Sequence, residues 1–65
     1  MKPSANNPTT AQIKQARQDA GLTQTKAAQV IYYTLRAWQE WESGNRKMHP
    51  SAFELFGIKI GMKNI

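Results

Sequence analysis

The chain has no cysteine and a single histidine, His49. These absences exclude a disulfide scaffold, Cys-ligated zinc, thiol catalysis and a His-rich metal site. Acidic residues are scarce: four Asp and Glu stand against nine Lys and Arg, for a net charge of +5 and a pI near 10.0. An excess of that sign in a small chain points to an anionic partner, either nucleic acid or a membrane surface. No apolar run approaches the roughly 18–20 residues that span a bilayer, and the mean hydropathy is -0.65. The stretch from Met1 to Pro8 lacks the apolar core of a signal peptide. No membrane partner is therefore expected, and a cytoplasmic location follows by default. A chain of 65 residues makes one domain, which buries only about 60% of the surface its unfolded form exposes. That leaves little room for a small-molecule pocket. With no paired carboxylates, no nucleophile beside a base and no Gly-rich phosphate loop, the expectation is a protein that is not an enzyme and has no cofactor or metal.

What is present reads as an all-α domain. Residues 1–8 carry two prolines, two asparagines and a serine, a flexible N-terminal arm in which Lys2 is the one cation. A single domain then covers 9–65. Thr9 stands three residues before Gln12, the spacing of a capping box, and Ile13, Ala16 and Ala20 follow at helical intervals up to Gly21. Thr23 caps a second helix from Gln24 to about Ile31, whose inner face holds Ala27, Ala28 and Ile31. Tyr32 and Tyr33 connect it to a third helix over 35–42, capped by Thr34 and closed by Ser43-Gly44. Pro50 suits the first position of a fourth helix, with Ser51 and Glu54 as an alternative capping box one residue on. That helix is expected to run to about Ile60, burying Phe53, Phe56 and Ile60. The alternation over 57–62 also fits a short strand. Leu55 is expected on an exposed apolar patch, a surface for a second copy or another protein.

The third helix carries the functional signal. At about 100° per residue, Ala37, Trp38 and Trp41 fall on one side, and Leu35, Arg36, Gln39, Glu40 and Ser43 on the other. The tryptophans read as core rather than as stacking platforms. Arg and Gln carry paired groups that match the base edges of the DNA major groove, Arg to guanine and Gln to adenine. Asn45, Arg46 and Lys47 in the following loop suit phosphates, as do Gln24 and Lys26 at the start of the second helix. Glu40 either accepts from cytosine N4 or pairs with Arg36 four residues earlier. Leu35 either meets a thymine methyl or is exposed incidentally. His49 reads as a loop residue or a helix cap.

The run Gly21-Leu22-Thr23-Gln24-Thr25-Lys26-Ala27-Ala28, followed by Trp41-Glu42-Ser43-Gly44-Asn45-Arg46, resembles the Cro/repressor-type helix-turn-helix family, Xre-like or lambda-repressor-like, over roughly residues 12–56. The resemblance implies a bundle of four or five short helices, with the helix-turn-helix at about 23–42. It implies a phage or bacterial transcriptional regulator, a repressor of the Cro type, that binds double-stranded operator DNA in the bacterial cytoplasm or a phage-infected host. It assigns base contacts to Thr34, Leu35, Arg36 and Glu40, with Gln39 alongside. It assigns phosphate contacts to Gln24, Ser43, Asn45 and Lys47, and a structural ion pair to Arg17 and Glu42. Three departures stand out. Tyr32 occupies a turn position that is usually glycine. Ala27 replaces the usual leucine, which makes room for Trp38. The loop before the fourth helix is about two residues longer, with Met48 turned inward. The sequence stops short of the fifth helix that often makes the dimer, so at most a weak homodimer is expected. Two rival readings use the same scaffold, a protein–protein interaction module and an autoregulating antitoxin. A membrane-active peptide would instead need one long, unbroken cationic helix.

Overall fold

Three threonines start three helices, each for the same reason. A helix leaves its first backbone N–H groups without partners, and a threonine hydroxyl at the cap accepts from one of them. Thr9 accepts from the Gln12 amide at 3.0 Å, while the Gln12 side chain accepts from the Thr9 amide at 2.9 Å, closing the capping box. Thr23 accepts from the Lys26 amide and Thr34 from the Ala37 amide, each at 3.1 Å. The computed structural model describes residues 7–62, with four helices and no strand among them. They are α1 (Thr10–Asp19), α2 (Gln24–Val30), α3 (Leu35–Ser43) and α4 (Pro50–Met62). Most of the expected arm, including Lys2, lies outside the described residues, as do residues 63–65. Asn7 already belongs to the fold, since its side-chain amide donates to the Met48 carbonyl at 2.8 Å.

One cluster forms the core. It takes Ile13 from α1, Ala27 and Ala28 from α2, Ile31 just after α2, Trp38 and Trp41 from α3, Met48 from the loop, and Ala52 and Phe56 from α4. Trp38 is at its centre, fully buried, with ring centroids 5.6 Å from Trp41 and 5.1 Å from Phe56. Removing a buried aromatic of this size costs about 3–5 kcal/mol. The small side chains of Ala27 and Ala28 leave room in the same cluster for so large a ring. Met48 is fully buried, as its place in the longer loop implied.

The fourth helix departs from expectation in which residues it buries. Ala52 and Phe56 are buried, and Phe53 and Ile60 are only half-buried. Leu55 is also half-buried against the core instead of lying on an exposed patch, and Ile58 is the exposed residue. The cause is the phase of the helix. With Ala52 and Phe56 inward, Phe53 is turned about 100° to one side of Ala52 and Leu55 about 60° to the other. The bulk of the phenylalanines pointed to a face that the small Ala52 in fact centres. The segment 57–62 is helical and not a strand, and α4 runs to Met62, past Ile60. It begins at Pro50, with the His49 ring Nδ1 accepting from the Ser51 amide at 3.1 Å, so the Ser51–Glu54 alternative is not used.

Two helices end in the same way on different residues. After α1, the Gly21 amide donates to the Gln18 carbonyl and the Leu22 amide to that of Arg17. After α2, the Tyr32 amide donates to Gln29 and the Tyr33 amide to Ala28. Both are the paired closure that needs a left-handed residue. Gly21 has φ 71° and meets it freely, whereas Tyr32 has φ 65°. A side chain in that region costs about 1–2 kcal/mol. Tyr32 recovers part of that by accepting a hydrogen bond from Lys59 Nζ at 2.7 Å, a contact made at a surface position. Tyr32→Gly is therefore expected to raise stability by about 1 kcal/mol, or roughly 4–8 °C in Tm for a domain this size. Gly21→Ala is expected to lower it by a similar amount, although a Cβ there meets nothing within 4 Å. Thermal denaturation followed by circular dichroism checks both signs.

Candidate nucleic-acid interface

A mostly polar helix face can serve recognition only if its backbone is held still. Glu42, near the end of α3, does much of the holding. Its carboxylate accepts from Arg17 Nε at 2.6 Å and Nη2 at 3.2 Å, a two-pronged pair between α3 and α1. It also accepts from Gln24 Nε2 of α2 at 3.1 Å and from the Trp38 indole N–H at 2.6 Å. Arg17 in turn donates to the Leu22 carbonyl at 3.0 Å, which ties down the turn between α1 and α2. The side chains of Arg17 and Glu42 are 15% and 8% exposed, so the pair is largely withdrawn from water. Burial by itself would push the Glu42 pKa up. The hydrogen bonds from Arg17, Trp38 and Gln24, with the charge of Arg17, outweigh burial and hold the carboxyl below its ordinary value.

With Trp38 and Trp41 locked inward, the opposite face of α3 points to solvent. Arg36, Gln39, Glu40 and Ser43, with Asn45 from the following loop, line one shallow open concavity. The Arg36 side chain is 86% exposed. Leu35 is exposed at the start of the same helix. Glu40 lies 3.5 Å from Arg36 Nε and 3.4 Å from Arg46 Nη1, so it pairs with both arginines. Thr34 uses its hydroxyl oxygen to cap α3, at the edge of this face.

The remaining sequence-derived candidates divide into two groups. Lys26, Arg46 and Lys47 are exposed cations on either side of α3 in the sequence. Gln24 and Ser43 make hydrogen bonds within the protein, Ser43 from an exposed position. The Gln24 amide is turned onto Glu42. The Ser43 hydroxyl donates to the Glu40 carbonyl at 3.0 Å and accepts from the Asn45 amide at 3.3 Å, shaping the loop. The Trp38 indole as a Glu42 partner escaped sequence reasoning, which treated tryptophan as bulk alone. The four-residue spacing from Trp38 to Glu42 was the available signal. Tyr33, which reads in the sequence as a connecting residue, has a packing role. It is partly exposed and packs edge-on against Trp41 at 4.9 Å between centroids. No described helix is long and apolar enough to cross a membrane.

No family model matches the chain. A stretch of 48 residues, 74% of the chain, is 35% identical to part of the Type II methyltransferase M.MspI of Moraxella sp. The match spans only 12% of that protein's length.

The Glu42 cluster makes stability depend on pH and on a single carboxylate. Because the folded pKa is depressed, its contribution is fully present above the unfolded value of about 4.3 and is lost as pH falls through the folded value. Urea midpoints measured from pH 6 down to pH 2 are expected to fall, and to fall less steeply in Glu42→Gln. Glu42→Ala strands the Arg17 guanidinium and the indole N–H. The expected cost is about 3–5 kcal/mol, comparable to the whole stability of a core this small. At pH 7 that variant is expected to show mostly unfolded circular dichroism at room temperature.

Proposed function

We propose that the chain is a small regulator of transcription that binds double-stranded DNA and reads its sequence in the major groove with α3. The observation that carries this reading is the outward face of that helix. Arg36 and Gln39 are exposed on a helix whose other side is fixed by two buried tryptophans. The major groove is about 12 Å wide and admits a helix, and these two side chains can pair with guanine and adenine edges. Lys26, Arg46 and Lys47 are exposed cations suited to the phosphates, and the net charge of +5 draws the chain to the polyanion. The resemblance of the Leu22-Thr23-Gln24 and Trp41-Glu42-Ser43-Gly44 segments to Cro/repressor-type proteins supports the same assignment. Repression follows from occluding the polymerase, in the cytoplasm, without catalysis by this domain.

The similarity to the methyltransferase favours a second reading, in which the same fold serves as a duplex-binding segment beside a methyl-transferring partner. The two readings share the binding step and differ in its target. A regulator selects a promoter element. A segment serving methylation selects the methylated sequence itself.

Selection from random duplex DNA at 50 and 150 mM salt, followed by sequencing, tests the proposal. An enriched motif is expected, and its comparison with the methylated sequences of the host genome separates the two readings. With about six phosphates neutralised, affinity is expected to fall ~10³-fold between 50 and 200 mM salt. The double variant Arg36→Ala, Gln39→Ala is expected to lose the motif and keep salt-dependent binding. Binding that vanishes at the higher salt with no motif in the wild type overturns the proposal in favour of a protein-interaction module.

A further inference from the structure

Glu40 is a carboxylate on the face proposed to approach a polyanion, where an unmatched negative charge is repelled. Its two oxygens are divided between two arginines. Oε2 faces Arg36 Nε at 3.5 Å, and Oε1 faces Arg46 Nη1 at 3.4 Å. The backbone around it is fixed, because its carbonyl accepts from the Ser43 hydroxyl at 3.0 Å and from the Arg46 amide at 3.3 Å. Its side chain is 30% exposed, against 86% for Arg36 and 63% for Arg46. The carboxylate is thus the least exposed member of the trio, placed between two arginines that extend into solvent.

We infer that Glu40 reads no base itself but is a positioning residue for Arg36 and a brake on non-specific binding through Arg46. The inference rests on the duplex-reading function proposed above. Glu40 takes the Nε side of an Arg36 side chain that is largely exposed, which leaves the Nη1/Nη2 fork, the edge that pairs with guanine O6 and N7, open to a partner. An arginine held in one rotamer before contact loses less freedom on binding, so the correct base pair gains more than a wrong one. Arg46 is held by the same carboxylate and is less available to phosphates until a cognate complex forms. The charge at Glu40 therefore weakens sequence-independent attraction while sharpening discrimination at one base pair.

Wild type, Glu40→Gln, Glu40→Asp, Arg36→Ala and the double variant Arg36→Ala, Glu40→Gln are titrated with the selected duplex, with its single-base-pair variants, and with a scrambled duplex of the same length, between 50 and 200 mM salt. Thermal denaturation confirms that each is folded. Glu40→Gln raises the net charge from +5 to +6. It is expected to bind scrambled DNA several-fold tighter, with a salt slope steeper by about 0.9 for the phosphate gained by Arg46. At the base pair that Arg36 reads, it is expected to lose about tenfold in discrimination, within the range of one bidentate contact. Adding it to Arg36→Ala is expected to bring no further loss of discrimination. Glu40→Asp keeps the charge but draws the carboxylate back. It is expected to lose discrimination and, with Arg46 partly released but the negative charge kept, to bind scrambled DNA more tightly than the wild type and less tightly than Glu40→Gln.

Three results overturn the inference. In one, Glu40→Gln keeps full discrimination. In another, its loss falls on a different base pair and adds to that of Arg36→Ala, which marks a direct contact from Glu40 to a base. In the third, the wild type itself discriminates nothing, which overturns the duplex-reading function and this inference with it. The first two leave that function standing, so the failures are distinguishable.

Discussion

The carboxylate of Glu42 is the constraint on which the rest of the structure depends. It gathers a guanidinium from α1, an amide from α2 and an indole N–H from α3 around two oxygen atoms. In a domain this small, apolar burial alone leaves a narrow margin of stability. A largely desolvated ion pair is a weak source of stability when compared with well-packed apolar side chains. What it supplies here is geometry. Arg17 and Gln24 can both reach Glu42 only if α1 and α2 sit in one arrangement about α3. The indole bond sets the rotation of Trp38 at the same time, and Trp38 is the centre of the core. Polar geometry and apolar packing therefore select the same placement of α3.

The outward face of α3 inherits its order from that placement. Arg36, Gln39, Glu40, Ser43 and Asn45 converge on one concavity because the tryptophans on the other side permit a single rotation of the helix. Glycine then sets how the loop leaves it. Gly44, at φ 88°, turns the chain sharply, and the backbone of Arg46 returns to the Glu40 carbonyl. The residues that line the concavity are all polar or charged.

The turn between α2 and α3 shows a different compromise. A tyrosine occupies a left-handed position that glycine would fill without strain, and Lys59 reaches from α4 to its hydroxyl and over its ring at 4.7 Å. The strained turn is thereby linked to the last helix. That link joins α4 to the α2–turn–α3 unit at its surface, where Ala52 and Phe56 join it through the core.

Much of this was readable in the sequence, because much of it is local. The three threonine caps, the glycine after α1 and the inward tryptophans follow from spacing within a single helix or turn, where the chain meets only itself. The Arg17–Glu42 pair was readable only through resemblance, since nothing in the spacing of residues 25 apart brings them together. Of the side chains buried by α4, Phe56 was readable and Ala52 was not, for a related reason. Local reading ranks residues by size, but the phase of a helix is set by what it packs against, and there the small Ala52 fits against the cluster better than Phe53. Gln24 shows the same limit, since a polar side chain at a helix end reads identically whether it faces solvent or, as here, a carboxylate on another helix. By itself the sequence determined the capped starts of the first three helices and the sign of the charge, because these depend on backbone geometry and composition. Only the tertiary structure decided which polar groups stay inside and which remain free to meet a partner, because desolvation is settled between elements and not within them.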